Sequence, residues 1–291
     1  MSEPKYFYPR NFAGTPKNLT NLKSAKVVIL PVPYDSTTTY KSGASDGPSA
    51  IISASEYLEL YDSELDRDIY KVGMHTLDEL VVDVSASKKM FTKLAKVVTK
   101  YAKMKKIVVT LGGDHSLAAG PAYAFSKIYK DLSVLYFDAH LDLREEYEGA
   151  AFGSATWARR VWEFGIPVIP VGIRSLSLDE KEFVKNKKVP VYFAEDIIKN
   201  PKLTSDISSK LTKNIYISFD VDALDPSIMS ATGTPEPGGL DWYQALDILK
   251  TATKGRNVVG FDICELSPSW GPHSCSFTAA KLVYKIIGYI T

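Results

Sequence analysis

The segment "SVLYFDAHLD" (residues 133–142) joins an apolar run to Asp138, His140 and Asp142, which stand at every second position. An apolar run without polar alternation is typical of a parallel strand that is buried on both faces. Two carboxylates at the end of such a strand need a cation or hydrogen bonds to compensate their lost hydration. The segment therefore predicts a buried strand whose carboxyl end enters a polar site, and other parts of the chain must complete that site.

Similar runs recur along the chain, and helical patterns lie between them. The candidate strands are residues 26–31, 69–73, 107–111, 133–137, 167–173, 189–193, 215–219 and 258–263. Apolar residues at helical spacing predict helices over residues 85–104, 239–255 and 276–290, the second of them capped by Asp241. Strands that alternate with helices over the whole length predict one three-layer α/β/α domain, residues 1–291, around a mainly parallel sheet.

The composition limits the classes of function. The chain has 291 residues, a formal net charge of +1 and 45% hydrophobic residues, which suits a globular protein with a large core. Near-neutral charge offers no basic surface for nucleic acid and no polybasic signal for a membrane. The start of the chain, residues 1–12, is polar, and no apolar run is long enough to span a bilayer, so we expect a cytoplasmic protein. Cys264 and Cys275 are expected to be buried free thiols.

Polar residues follow four of the predicted strands. They are "GGDHS" (112–116), "DAHLD" (138–142), "DVDALDP" (220–226) and Asp262 with "CELSP" (264–268). Taken singly, each segment is also compatible with an ordinary turn. In a parallel sheet, however, the carboxyl ends of the strands lie on one edge, where ligands bind. Their occurrence at four strand ends therefore favours one shared site.

Together with "TGTPEPGG" (232–239), these segments in this order resemble the signature of the ureohydrolases, the arginase and agmatinase family. The segment "VPYDSTTTYKSGASDGPSAI" (32–51) is similar to an N-terminal segment typical of agmatinases. The resemblance covers nearly the whole chain. It implies a three-layer fold around an eight-stranded parallel sheet, which matches the eight candidate strands. It also implies two Mn²⁺ ions per subunit and a homotrimer or homohexamer.

The resemblance implies six metal ligands. The expected arrangement is His115 and Asp142 on one ion, His140 and Asp222 on the other, and Asp138 and Asp220 as bridges between both. Four carboxylates and two imidazoles form a hard, oxygen-rich donor set that suits Mn²⁺. Glu265 is expected to hold the substrate guanidinium, because this planar cation prefers a bidentate carboxylate.

The implied reaction is the hydrolysis of a guanidino group. Two adjacent divalent ions acidify a shared water, so that hydroxide attacks the guanidinium carbon. Asp142 is the expected proton donor to the departing amine. The favoured substrate is agmatine, which yields putrescine and urea. The alternatives are an arginase, a hydrolase of another guanidino or formimino compound, and a non-catalytic homologue that keeps the metal.

The chain departs from the family pattern at one position that we expect to bind substrate. Agmatinases typically carry a histidine, credited with proton transfer, where "FGSATWARR" (152–160) has Ser154. A serine hydroxyl cannot exchange protons near neutral pH as an imidazole does. We therefore expect Ser154 to change either the proton route or the contact with the substrate.

Other polar residues have less specific patterns. Asp114 is expected to orient a loop or a ligand histidine, and Asp225, which precedes a proline, to shape a turn. Asp262 lies where a strand ends and fits either a turn-shaping role or a metal-ligand role. His75 and His273 are expected to be ordinary surface or loop histidines.

Overall fold

A computed structural model describes residues 10–291 of the chain. The ten strands over these residues are β1 (Val27–Pro31), β2 (Tyr61–Asp62), β3 (Arg67–Asp68), β4 (Met74–Thr76), β5 (Ile107–Leu111), β6 (Leu132–Phe137), β7 (Val168–Ile173), β8 (Tyr192–Phe193), β9 (Asn214–Asp220) and β10 (Asn257–Cys264). The nine α-helices over the same residues are α1 (Gly47–Ser55), α2 (Ser87–Lys103), α3 (Ala119–Ser126), α4 (Trp157–Glu163), α5 (Leu178–Lys187), α6 (Ala194–Lys199), α7 (Leu203–Ser209), α8 (Trp242–Thr253) and α9 (His273–Ile290).

Eight of these strands form one parallel sheet in the order β4-β1-β5-β10-β9-β6-β7-β8. The remaining two, β2 and β3, pair as a separate antiparallel ribbon. The four strands that carry the polar segments, β5, β10, β9 and β6, are direct neighbours at the centre of the sheet. Because they run parallel, their carboxyl ends open on one edge, as ligand sites in such sheets require.

Helices cover both faces of this sheet, which confirms the three-layer prediction. Successive residues of a strand point to opposite faces, so that Val27 and Ile29 of β1 enter one core while Val28 and Leu30 enter the other. The first core is closed by α1, α6, α7, α8 and α9, and the second by α2, α3 and α4. Burial on both faces explains why the strands are apolar throughout.

The predicted helices are confirmed with small shifts at their ends. Residues 85–104 contain α2, residues 239–255 contain α8, and residues 276–290 lie within α9. Asp241 caps α8 as predicted. Its carboxylate accepts the N–H of Gln244 at 2.7 Å, and the Gln244 side chain accepts the N–H of Asp241 at 2.9 Å.

One predicted strand is wrong and another is shortened. Residues Ile69–Val72 form a 3₁₀ turn, and the edge strand β4 begins only at Met74. Gly73 between them has φ +78°, so the backbone turns there before it enters the sheet. Of residues 189–193, only the last two form β8. The stretch contains Pro190, which has no N–H to donate to a neighbouring strand.

Three further expectations concern the rest of the chain. Residues 1–9, most of the polar N-terminal stretch, lie outside the described residues. Over residues 10–291, no helix combines the length and the apolar character needed to cross a bilayer. Cys264 and Cys275 are free and buried, as predicted.

A buried ion pair joins the last helix to the ribbon of β2 and β3. Lys285 of α9 is 5% exposed, and its Nζ donates to the two oxygens of Asp62 at 2.9 and 3.1 Å and to Glu64 at 2.5 Å. Burial opposes a charge on Asp62, but the hydrogen bonds from Lys285 and the backbone of Leu65, together with the charge of Lys285, outweigh it and hold the pKa of this carboxyl below its usual value. Burial also opposes a charge on Glu64, but hydrogen bonds from Lys250, Lys285 and Tyr289 lower its pKa to about 2.

We expect Asp62→Asn to lower the free energy of unfolding at pH 7 by about 1–3 kcal/mol, because Lys285 loses a charged partner. Both acids have a lower pKa in the folded chain than in the unfolded chain, where values near 4 apply. Their stabilisation is therefore complete above about pH 5 and is lost as the pH falls toward about 2. Urea denaturation at pH 7 and at about pH 3 should show that the difference between variant and wild type shrinks in acid.

The exposed pair of Glu195 and Lys199, four residues apart on α6, provides the control. Glu195→Gln should leave the free energy of unfolding essentially unchanged, because water screens this pair. If Asp62→Asn lowers the free energy of unfolding by the same amount at both pH values, the carboxylate charge is not the cause of the destabilisation.

Candidate metal centre and active site

The carboxyl ends of β5, β10, β9 and β6 enclose one cavity of about 160 Å³. Seven residues predicted from separate segments line it, namely His115, His140, Asp142, Ser154, Asp220, Asp222 and Glu265. Asp138 lies among them and is fully buried. Two rim segments, Thr38–Lys41 and Arg144–Tyr147, contribute residues to the cavity wall. The fold therefore brings the predicted site residues together.

The second glycine of "GGDHS" has a steric reason. A Cβ on Gly113 would lie 1.8 Å from the carbonyl oxygen of Tyr34. That oxygen accepts the N–H of Asp114 at 2.8 Å. Glycine thus lets the segment 32–51 pack directly against the loop that carries His115.

Three aspartates bind the backbone with one oxygen and leave the other for the cavity. Asp138 Oδ1 accepts the N–H of His140 at 2.6 Å, and Asp220 Oδ1 accepts the N–H of Asp222 at 2.8 Å. Asp222 Oδ1 accepts the N–H of Ala139 at 2.9 Å. The first two bonds join residues i and i+2, which is a turn geometry that aspartate favours. The D-x-H and D-x-D spacings therefore orient each Oδ2 toward the imidazoles.

The imidazole of His115 lies among three of these carboxylates. Its Nδ1 is 3.0 Å from Asp138 Oδ2 and 3.2 Å from Asp220 Oδ2. Asp142 Oδ2 is slightly farther away, at 3.5 Å. His115 with Asp138 and Asp220 forms one group of potential metal ligands.

The imidazole of His140 forms the second group, with Asp138 and Asp222. Its Nδ1 is 3.0 Å from Asp222 Oδ2 and 3.6 Å from Asp138 Oδ1. Asp138 is thus common to both groups, and its two oxygens face different histidines. A carboxylate in this position has the geometry to bridge two ions.

The crowding of these acids disturbs their protonation. Burial and the charges of Asp222 and Asp138 raise the pKa of Asp220 well above its usual value. Burial and the charge of Asp138 raise the pKa of Asp142 to about 7. Burial opposes a positive charge on His140, but the nearby charges of Asp222 and Asp138 outweigh it and raise its pKa to about 12. Protons are therefore shared among acids and imidazoles, and divalent cations would displace them.

Two buried atoms of the site are in no well-directed hydrogen bond. They are Nδ1 of His115 and Oδ2 of Asp138, which face each other at 3.0 Å. Two such atoms repel each other unless a proton or a cation lies between them. Carboxylate oxygens with imidazole nitrogens form a hard donor set, which suits Mn²⁺. The residues present therefore fit a divalent ion of this kind.

The side chain of Trp157 orients the carboxylate of Asp142. The buried indole Nε1 of Trp157 donates to Asp142 Oδ2 at 2.8 Å, and its ring centroid lies 4.6 Å from that of His115. Asp142 has φ +53°, a left-handed conformation that is uncommon outside glycine. Strain of this kind persists only where the surroundings enforce it, and it often accompanies function. Here it aims the carboxylate at the imidazole of His115.

Glu265, directly after β10, faces the same cavity. Its Oε1 accepts the N–H of His115 at 2.7 Å and the hydroxyl of Ser154 at 3.3 Å. Its φ is +64°, and its own N–H donates to the carbonyl oxygen of Gly113 at 2.8 Å. Burial and the charge of Asp114 raise the pKa of Glu265 to about 8. A cation beside this carboxylate would favour its ionised form.

Ser154 belongs to a chain of hydrogen bonds that reaches the segment 32–51. Its N–H donates to Thr37 Oγ1 at 3.1 Å, and the Thr37 hydroxyl donates to Asp114 Oδ2 at 3.0 Å. Asp114 Oδ2 also accepts the N–H groups of Ser36 and Thr37 at 3.0 and 2.9 Å. Asp114 therefore orients a loop, as predicted, and that loop supports Ser154 at the cavity.

The remaining predicted residues lie outside the cavity lining. Asp225 accepts the backbone N–H of Ser227 in the following turn and those of Gly238 and Gly239 in a more distant loop, which confirms its structural role. His75 lies in the edge strand β4, and His273 begins α9. Asp262 is fully buried and accepts the hydroxyl of Ser218 at 2.8 Å.

Two residues that shape the site were not predicted from the sequence. Trp157 lies 15 positions from the carboxylate that it orients, and nothing local indicates this contact. Arg174 donates to the carbonyl oxygens of Asp222 and Glu236, both at 2.7 Å, and so ties two loops at the cavity together. Arg174 directly follows β7 and therefore lies at the same sheet edge as the predicted site. This position could have identified it from the sequence.

Comparisons with known proteins agree with this geometry. A model of the arginase family matches residues 25–288. The N(1)-aminopropylagmatine ureohydrolase of Synechocystis sp. is 34% identical over 97% of this chain and 96% of its own length. The agmatinase of Pyrococcus horikoshii is 36% identical over 92% of this chain and 93% of its own length.

A solved structure extends the comparison to the fold. The agmatine ureohydrolase of Thermoplasma volcanium has a TM-score of 0.88 and 29% identity, covering 98% of this chain and 95% of that chain. The eight-stranded sheet and these matches together define an enzyme of the ureohydrolase class. The chain belongs to the arginase family.

Proposed function

We propose that this chain is a manganese-dependent agmatinase, which hydrolyses agmatine to putrescine and urea. The observation that carries the proposal is the pair of three-ligand groups joined through Asp138, with the Glu265 carboxylate beside them. The relatives from Pyrococcus horikoshii and Thermoplasma volcanium, whose names specify agmatine, support the choice of substrate.

Six side chains would hold the two ions in this proposal. They are His115 and Asp142 on one ion, His140 and Asp222 on the other, and Asp138 and Asp220 as bridges. Membership of Asp138 in both groups supports its bridging role. Four carboxylates also balance the four positive charges of two Mn²⁺ ions, which relieves the repulsion among the acids.

The chain's own residues bind the substrate and move the proton. When bound, two divalent ions acidify a shared water and so supply a nucleophile at neutral pH. Glu265 pairs with the guanidinium and holds its carbon above the ligand cluster, which converts binding into orientation. Asp142 accepts the proton that the attacking water loses and passes it to the departing amine. Its Oδ2 accepts the indole N–H of Trp157, which leaves Oδ1 to carry that proton.

A second candidate substrate is N(1)-aminopropylagmatine, which is named for the Synechocystis relative. This compound carries the same guanidino group on a longer chain with one more amine. The rim segments Thr38–Lys41 and Arg144–Tyr147 border the cavity where the tail of either compound would lie. The two candidates therefore share the metal chemistry and differ in their contacts at the rim.

Removing a bridging ligand should remove metal. We expect wild-type protein to bind two Mn²⁺ ions per chain and Asp220→Ala to lose at least one of them, because an ion without its bridge binds at least about tenfold more weakly. Asp225→Asn, on the same segment, is the control and should keep both ions, because its carboxylate only shapes a turn. Elemental analysis after gel filtration measures the number of Mn²⁺ ions bound per chain. Two ions retained in Asp220→Ala would contradict the ligand assignment.

A substrate panel tests the reaction itself. We expect urea release with the highest kcat/KM for agmatine among agmatine, N(1)-aminopropylagmatine, arginine and 4-guanidinobutyrate. Glu265→Gln should keep both ions and lower kcat/KM by at least about 30-fold, because the guanidinium loses its charged partner. Preference for N(1)-aminopropylagmatine would select the second candidate. Two bound ions without urea from any compound would identify a non-catalytic homologue.

Ser154→His tests the departure from the family pattern. If proton delivery is slow in the wild type, an imidazole at this position should raise kcat and leave the metal content unchanged. Positioned proton transfer raises the rate of catalysis by about 10²–10⁴-fold, so even a small part of this gain would be measurable. Ser154→Asn, which adds bulk without a proton relay, is the matched control. A rise in KM without a rise in kcat in both variants would show that Ser154 contacts the substrate tail instead.

A further inference from the structure

A buried polar network lies directly behind His115. Ser218 of β9 and Asp262 of β10 are paired across the two strands, and both are fully buried. His115 Nε2 lies 2.8 Å from Ser218 Oγ, and Ser218 Oγ lies 2.8 Å from Asp262 Oδ1. Tyr216 and Cys264 also donate to the Asp262 carboxylate. A carboxylate buried at this depth depends on these three donors, because without them it would destabilise the core.

The proton count in this network has one solution for an ionised Asp262 and a neutral imidazole. A carboxylate only accepts hydrogen bonds, and a serine hydroxyl has one proton. Because three donors surround Asp262, the hydroxyl of Ser218 donates to it, as the other two do. The oxygen of Ser218 can then only accept, so the proton that it receives comes from Nε2 of His115.

This direction of donation determines the other nitrogen of the ring. A neutral imidazole carries one proton, and placing it on Nε2 leaves a lone pair on Nδ1. Nδ1 is the atom that faces Asp138, Asp220 and Asp142 and makes no well-directed hydrogen bond. A lone pair aimed at carboxylate oxygens is the arrangement that a cation among them requires.

We propose that Asp262, acting through Ser218, is a positioning residue that fixes the tautomer of His115 and so presents Nδ1 to the metal. This inference rests on the proposed function only in that the bound ion is manganese. It assigns to Asp262 a role that the residue performs without contact with metal or substrate. It also explains a serine and an aspartate at paired positions inside an apolar sheet.

Four variants test the proposal through metal affinity. Ser218→Ala removes the acceptor for Nε2, and Asp262→Asn provides an amide that can donate to Ser218 and reverse its hydroxyl. Each variant should lower the affinity for the ion at His115 by about 10–100-fold, which is the usual effect of removing the hydrogen-bond partner of a metal ligand. Ser218→Thr keeps a hydroxyl and should retain the affinity. Tyr216→Phe, which removes a different donor from the same carboxylate, is the matched control and should change affinity by less than about threefold.

Manganese titration followed by electron paramagnetic resonance measures the two ions separately. In Ser218→Ala and Asp262→Asn, one ion should remain bound and give the spectrum of isolated Mn²⁺, while the coupled spectrum of the pair disappears. Equal losses of both ions, or a loss in Tyr216→Phe as large as in Ser218→Ala, would overturn the proposal, because either result indicates general damage to the core.

Nitrogen-15 spectra provide a direct check on the tautomer. The chain has four histidines, so the ring signals of Zn²⁺-loaded protein can be assigned by single His replacements. We expect His115 to carry its proton on Nε2 in wild-type protein, and a proton on Nδ1 would overturn the proposal. Two bound ions and an Nε2 proton, with no urea from the panel, would refute the proposed function and leave this inference standing. Urea release by the wild type together with unchanged metal affinity in all four variants would refute this inference and leave the proposed function standing.

Discussion

Four aspartate carboxylates share a space that almost excludes water, and their mutual repulsion is the constraint on which the site depends. Asp138 is fully buried, and Asp142, Asp220 and Asp222 are at most 7% exposed. Burial opposes a charge on Asp138, but the two neighbouring imidazoles outweigh it and lower the pKa of this carboxyl, whereas burial and the neighbouring acids raise the pKa values of Asp220 and Asp142. Such a cluster is stable only with positive charge among its oxygens. The unusual protonation of the site and its suitability as a candidate metal centre therefore have the same electrostatic origin.

The backbone resists this repulsion with bonds that are local to each motif. Asp138 and Asp220 each accept the N–H group two residues ahead, and Asp222 accepts an N–H from the neighbouring strand end. One oxygen of each carboxylate is thereby fixed to a central strand of the sheet. The other oxygen is free to bind an ion, and it cannot rotate away from its neighbours without breaking a buried hydrogen bond. Rigid strand ends therefore hold together charges that flexible loops would let separate.

Much of this organisation could be read from the sequence because it is local. The apolar runs of β5, β6, β9 and β10 indicate strands that are buried on both faces, and the structure has them there. The capping box at Asp241 is equally local. The errors fall at the edges of the sheet, in β4 and β8, where a strand has one partner and short-range features such as Gly73 decide where pairing begins. A hydrophobic run alone cannot distinguish a paired edge strand from a turn that packs on the core.

By itself, the sequence determined the four polar segments, the candidate metal ligands that they carry and the i to i+2 geometry within them, because these depend on neighbours along the chain. Only the tertiary structure decided that β10 and β9 lie between β5 and β6, which brings the four segments to one cavity. It also decided the contacts of Trp157 with Asp142 and of Ser154 with Glu265, and the support that Asp262 gives to His115 through Ser218. These contacts join residues between 15 and 111 positions apart, and they exist only because parallel strands place distant segments side by side.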